Sequence, residues 1–356
     1  MRERPSSTIL DTAPVRVIYI AGYGRSGSTL LDIALGNAGG VVGLGELTAL
    51  SRHVWPRDEY CACGERVRAC TFWSRVVERW EAGPASVGRA GQSGQMSQEN
   101  EEARAGGVER RLAHLARAQR HLEALPGIAR LPHPARALHR SETHALFAAI
   151  AREAAGDPAA PPPFLVDSSK LPGRGFALAA TPGIDLHVIH LVRDPRAVVW
   201  SMSKCIAREL ERGVQKEIRP RASAYVAMRW ALVNRAAERL CRKVGAQRFA
   251  RVRYEDLVAD PAGTIAAVLQ PWRDREMPLA GTHGGVEGVL YPAHQVAGSR
   301  HRMKDSLVIR ADEAWRNEMP AARQRLVGLL TGAMAHRYGY RTETSRPSSA
   351  SLAAGV

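Results

Sequence analysis

Val15-Arg16-Val17-Ile18-Tyr19-Ile20 leads through Ala21 into Gly22-Tyr23-Gly24-Arg25-Ser26-Gly27-Ser28-Thr29, with Leu30 to Leu35 behind it. The first segment is short and β-branched, which predicts a buried strand, and the last is rich in helix formers. A glycine-rich turn joins them. Its glycines permit positive φ, so successive N–H groups can converge on an oxyanion. A helix beginning near Ser28 adds unpaired donors and the positive end of its dipole. The spacing matches the ATP-type loop G-x-x-x-x-G-K-[ST] except that Ser28 stands where that loop carries lysine. That lysine clamps the β/γ-phosphates, so its absence argues against transfer of a γ-phosphate. Arg25 offers instead a forked donor for the terminal anionic group of a shorter ligand. A plain strand-to-helix turn is the alternative, and the hydroxyl density of the loop favours phosphate.

Working outward, Val41 to Leu44 reads as a second strand ending at Gly45-Glu46. Phe164 to Asp167, Leu186 to Val192 and Arg248 to Tyr254 read as three more. Asp194-Pro195 supplies a helix cap and a proline at the first helical position, for a helix expected to run through Val198, Met202, Ile206 and Leu210. Further helices are expected over 222–244 and 262–269. This alternation predicts an α/β chain: a three-layer, P-loop-like fold with a central parallel sheet flanked by helices. A helical insertion is expected over about 76–160. It opens with a Gly/Ser/Gln-rich connection and closes at Pro161-Pro162-Pro163. Its leucines Leu112, Leu115, Leu122 and Leu125 read as core packing, not as a membrane face. The chain divides into a flexible start (1–14), one main domain (15–342) and a disordered Ser/Ala-rich tail (343–356).

The 356 residues suit one large domain with an insertion or two modest ones. Fifty basic against 35 acidic residues give a net charge of +15, and nearly all the cations are arginine. Such a surface attracts anions, but the arginines are scattered, so no nucleic-acid partner is expected. No run reaches the roughly 18 apolar residues of a membrane span, and Met1 to Pro14 lacks the uninterrupted apolar stretch of a secretory signal. A cytoplasmic protein is expected.

A second anion motif follows the fourth strand: Leu191-Val192-Arg193-Asp194-Pro195-Arg196, reaching Ser201 two helical turns on. Arg193 falls at a strand's carboxyl end, where ligands of open α/β sheets gather. Alone, an Arg-Asp pair there is more often structural; with the first loop it forms a two-phosphate clamp.

These residues resemble the nucleotide-dependent sulfotransferases, especially bacterial members. Gly24-Arg25-Ser26-Gly27-Ser28-Thr29-Leu30-Leu31 is similar to their 5′-phosphosulfate loop, and Arg193 through Ser201 to their 3′-phosphate motif. Val166-Asp167-Ser168-Ser169-Lys170 and Arg253-Tyr254-Glu255-Asp256-Leu257 resemble further family segments. His294-Gln295-Val296-Ala297-Gly298-Ser299-Arg300-His301-Arg302 resembles the late loop that closes over the 3′-phosphate, with Arg302 or Arg300 as its contact and Ser299 at a position commonly asparagine. The resemblance implies 3′-phosphoadenosine 5′-phosphosulfate as donor, no metal, and in-line transfer to a hydroxyl or amine. It implies Glu46 as the base, like the glutamate of tyrosylprotein sulfotransferases, with Arg25 and Lys170 on the departing oxygen. Glu46 capping the next helix, and His53 as base, are the alternatives. The acceptor stays open among small molecules, sugars, lipids and peptides, and the insertion is expected to choose it. A divergent kinase and a nucleotide sensor without turnover are the rival functions.

Cys61-Ala62-Cys63-Gly64 with Cys70 invites a zinc reading with His53 as fourth ligand. One C-x-C and a lone cysteine lack the usual paired knuckles, so free or locally paired thiols are expected.

Overall fold

A computed structural model describes residues 13–83, 98–122, 135–157, 161–205, 207–209, 217, 219–272 and 289–340. The start of the chain, the Gly/Ser/Gln-rich connection, Leu125 and the tail from 343 lie outside them.

Five strands form one parallel sheet: β1 (Val15–Gly22), β2 (Val41–Gly43), β3 (Phe164–Lys170), β4 (Ile184–Val192) and β5 (Phe249–Arg253). Their order is β2-β3-β1-β4-β5. With β1 at the centre, the chain passes from β1 to the edge strand β2, returns through β3 beside β1, and then crosses to β4 and β5 on the other side. The carboxyl end of β1 is therefore the switch point where α/β sheets take ligands. The helices are α1 (Ser28–Gly36), α2 (Thr71–Ala82), α3 (Gln98–Leu122), α4 (Ala135–Ala155), α5 (Pro172–Leu178), α6 (Pro195–Met202), α7 (Ser223–Val244), α8 (Tyr254–Ala259), α9 (Pro261–Leu269), α10 (Trp315–Glu318) and α11 (Ala321–Arg337). A short pair, β6 (Val289–Leu290) and β7 (Leu307–Val308), stands apart from the sheet.

The period of two along β1 divides the core. Val17, Tyr19 and Ala21 face one hydrophobic cluster, and Ile18 and Ile20 face another. The first cluster takes in Trp73 and Trp80 of α2, Leu112 and Leu115 of α3 and Phe147 of α4. The leucine stripe is thus core where its side chains are described. The second cluster holds Leu31 and Leu35 of α1 with Ile265 and Val268 of α9. Among the described residues no helix is long and apolar enough to cross a membrane.

Helix α6 starts as its sequence directs: the Asp194 carboxylate accepts from Arg196 N–H at 2.8 Å, with Pro195 at the first position. It ends four residues before the expected Ile206. Ser203 turns its N–H and its hydroxyl onto Trp200 O, a local competition that closes the helix at Met202. Ile206 and Leu210 lie outside the described residues.

Asp32 on α1 is fully buried and its Oδ2 accepts from Gly45 N–H at 3.0 Å, which fixes the end of β2 against the helix. Burial pushes its carboxyl up to about 7, against the opposing hydrogen bonds from Ser168 and Gly45. The folded chain therefore keeps a proton that the unfolded chain releases near 3.8, so Asp32 lowers stability as pH rises between 3.8 and about 7. Thermal melts across that window should show Asp32→Asn with a shallower fall in Tm than the parent; identical slopes would contradict the assignment.

Candidate active site

The loop after β1 holds its shape by backbone constraint. Gly27 adopts φ 93°, and a Cβ there would stand 2.6 Å from Cδ2 of Tyr254, so only glycine fits. Arg25 also takes positive φ, 67°, a conformation that costs a non-glycine residue and that clusters at functional sites. Among the described residues, the backbone N–H groups from Gly24 to Leu30 meet no acceptor in the chain. Helix α1 has no side-chain cap, and Ser26 Oγ is buried without a partner. A row of orphan donors at a helix N-terminus is the electrostatic signature of an anion site.

The second motif meets this loop directly. Arg193, 5% exposed, donates from Nη1 to Arg25 O at 3.1 Å and from Nη2 to Asp312 O and Oδ2 at 2.9 and 3.1 Å. Its guanidinium lies 4.1 Å over the Tyr254 ring. Arg25 Nε donates to Ser201 Oγ at 3.0 Å, so Arg25 spans the two motifs. Burial, then the adjacent Arg193 and Arg300, hold the Arg25 pKa below the ordinary arginine range, with Asp312 opposing. Crowded guanidiniums with one carboxylate between them make a site that an anion stabilises. The Arg253–Leu257 segment buttresses it: Tyr254 wedges beneath the loop, and Glu255 accepts from Asp194 N–H at 3.1 Å and from Tyr340 OH at 2.7 Å.

Glu46 follows β2 at the same end of the sheet. Its side chain pairs with Lys170 Nζ and does not cap the following helix, which begins only two residues later and continues as a π-helical turn, Leu50–Val54. Lys170 takes φ 71° at the end of β3. Buried Asp167 arranges that end, accepting from Ser169 N–H and hydroxyl and from Arg174 Nε at 3.2 Å. His53 bonds Glu59 Oε2 at 2.8 Å and is not part of the cysteine group.

The late segment closes the site. Val296 N–H donates to Leu44 O and Val296 O accepts from Glu46 N–H, both at 2.9 Å, and Ser299 N–H donates to Thr29 Oγ1 at 3.1 Å. A Cβ on Gly298 would stand 2.9 Å from Thr29 Oγ1 and 3.7 Å from Glu46 Oε1, so the Glu46 carboxylate and the loop hydroxyl flank one backbone point. The two late arginines part company. Arg302 turns fully inward, with Nη1 on Tyr60 O at 2.9 Å. Arg300 stays exposed and its charge reaches Arg25. His301 feels Lys304, Arg300 and Arg25 in addition to the burial that lowers its pKa.

The three clustered cysteines converge, and none is in a disulfide. The fourth member of their group is His294, not His53. Beside the π-helical turn, a cavity of about 630 Å³ opens between Ser51, Trp55 and Pro56 on one side and Leu112, Arg117 and Arg120 of α3 on the other. Sequence reasoning missed Asp312, which lies 119 residues from its partner Arg193 and carries no motif.

A model described as "Sulfotransferase family" matches residues 17–271. The chain is similar to carbohydrate sulfotransferase 5 of Mus musculus, 30% identical over 188 residues, which are 47% of this chain and 45% of that protein. It is also similar to carbohydrate sulfotransferase 6 of Homo sapiens, 28% identical over 199 residues, 50% of this chain and 47% of that protein. The chain spans about half the length of the curated relatives it matches. Similar solved structures include the sulfotransferase domain from the Synechococcus PCC 7002 olefin synthase, with TM-score 0.44 and 20% identity over 94% of this chain and 98% of that one. Sulfotransferase STF9 from Mycobacterium avium gives TM-score 0.45 and 12% identity over 93% and 79%.

Gly27→Ala should cost about 1 kcal/mol or more, since φ 93° is strained for alanine and its Cβ meets Tyr254. Denaturant melts will read this; an unchanged midpoint would mean that the loop is not held as described.

Proposed function

This chain belongs to the sulfotransferase family, and from that premise we propose that it moves a sulfonyl group from 3′-phosphoadenosine 5′-phosphosulfate to a hydroxyl. The observation that carries the reading is the junction of the orphan-donor loop with the Arg193–Ser201 motif through Arg25. A ligand with anionic groups at both its 5′ and 3′ ends suits two adjoining anion pockets. The serine at position 28 suits a donor with no γ-phosphate.

In this reading Ser26, Ser28, Thr29 and the N–H groups from Gly24 onward hold the 5′-phosphate. Arg193, Ser201 and the exposed Arg300 take the 3′-phosphate, Arg300 in place of the inward-turned Arg302. Arg25 stands between them and neutralises charge on the departing phosphate oxygen. The donor supplies the sulfonyl group: its sulfur–oxygen bond to the 5′-phosphate breaks as the acceptor oxygen bonds to sulfur, and the acceptor proton passes to Glu46. Lys170 keeps the Glu46 carboxylate oriented toward the loop and supplies positive charge beside it. We take the cavity between the π-helical turn and α3, where the insertion meets the segment that follows Glu46, as the acceptor site. Its charged lining residues Glu109, Arg117 and Arg120 suit a polar acceptor, and the similarity to carbohydrate sulfotransferases makes a sugar hydroxyl the class to try first.

Radiosulfate-labelled donor offered to pools of sugars, phenols, lipids and peptides tests the activity. Glu46→Ala should lose about 10²–10⁴-fold in kcat and retain affinity for the nucleotide product. A parent that transfers to none of the pools, with the variant binding alike, would point to a sensor. Arg193→Ala should weaken the 3′-phosphorylated nucleotide far more than its 3′-dephosphorylated analogue, read by titration of both; equal losses would count against the assigned pocket.

A further inference from the structure

Cys61, Cys63, Cys70 and His294 bring three sulfurs and an imidazole nitrogen within 4.8 Å of one another. Four of the six edges are 3.6 Å between Cys63 and Cys70 Sγ, 3.8 Å between Cys61 and Cys70 Sγ, and 3.4 and 3.8 Å from His294 Nδ1 to the sulfurs of Cys70 and Cys61. A tetrahedral zinc with Zn–S about 2.3 Å and Zn–N about 2.0 Å requires S···S edges of about 3.8 Å and S···N edges of about 3.5 Å. A disulfide, at about 2.05 Å, would need far closer sulfurs and would leave the third cysteine over. From this geometry we propose that the chain binds one zinc ion through Cys61, Cys63, Cys70 and His294, in a closed structural site separate from the transfer chemistry.

The surroundings are those of a metal site. Cys61 and Cys70 are buried, and Cys63 is exposed, which gives the ion a route in. The ligand turn is tied by Gly64 N–H to Cys61 O and Cys61 N–H to Glu65 O. His294 is oriented from behind: Trp73 Nε1 donates to its carbonyl at 2.8 Å, and Phe72 stacks on its ring with centroids 4.8 Å apart. Three thiolates and a zinc ion leave one net negative charge. The buried Arg302 guanidinium, bonded to Tyr60 O beside Cys61 and with no acceptor for Nε and Nη2, supplies the compensating cation. The zinc would clamp the Cys61–Cys70 turn and the start of α2 to the segment whose Val296 pairs with both Gly45 and Cys61. It would thereby hold the late loop against Glu46 and Thr29.

Elemental analysis of the untagged full chain, dialysed against metal-free buffer, tests this without donor or acceptor, so its outcome is independent of the proposed activity. About one zinc per chain is expected in the parent, falling below about 0.1 in Cys70→Ser and His294→Ala and returning in His294→Cys. Because these variants remove core groups and can fail to fold, the parent is also exchanged into cobalt. Thiolate-to-cobalt charge transfer with the d–d bands of a tetrahedral ion would support the site. A parent with less than about 0.1 zinc per chain that gives no such spectrum overturns the proposal.

Discussion

The buried guanidinium of Arg193 is the constraint on which the site depends. It has lost its water, so it must find acceptors, and it finds them on the loop carbonyl of Arg25 and on Asp312. Those bonds fasten the carboxyl end of β4 to the loop after β1, and Tyr254 supports both from below. The result is a patch of fixed positive charge where the sheet changes winding direction. Helix α1 contributes its unpaired donors to the same patch. Sheet order makes this possible, because β1 lies hydrogen-bonded between β3 and β4.

The same order explains the other half of the site. Strand β3 separates β2 from β1, so Glu46 after β2, Lys170 at the end of β3 and Thr29 after β1 come from three neighbouring strand ends. The late segment then stitches across them through Leu44, Glu46 and Thr29. Lys170, at φ 71° directly after the Ser169 that Asp167 binds, sets its ammonium on the Glu46 carboxylate. Of the four non-glycine residues with positive φ among the described residues, Arg25, Lys170 and Ala297 border this cleft, and Asp58 lies in the turn after the π-helical segment.

Much of this was legible before any coordinates. All five strands of the sheet are legible as short apolar runs, β-branched most clearly in β1, and Asp194-Pro195 announces the start of α6. The glycine- and hydroxyl-rich loop after β1 is legible because its chemistry is local: glycines, hydroxyls and a strand within a dozen residues. What could not be read depends on distant partners. The inward turn of Arg302 follows from a carbonyl 242 residues away, and His294 joins Cys70 across 224 residues. His53 looked like the fourth ligand only because it is near in sequence; Glu59 takes it instead. The end of α6 was misplaced for another reason, since apolar spacing does not register a serine that closes the helix on its own backbone.

The central claim is that two adjoining pockets grip one ligand phosphorylated at both ends. Calorimetric titration of the full chain with adenosine 3′,5′-bisphosphate, set beside ATP with magnesium, addresses it most directly. The account predicts tight one-to-one binding of the bisphosphate and weak binding of ATP. Tight binding of magnesium-ATP with no heat from the bisphosphate would contradict it.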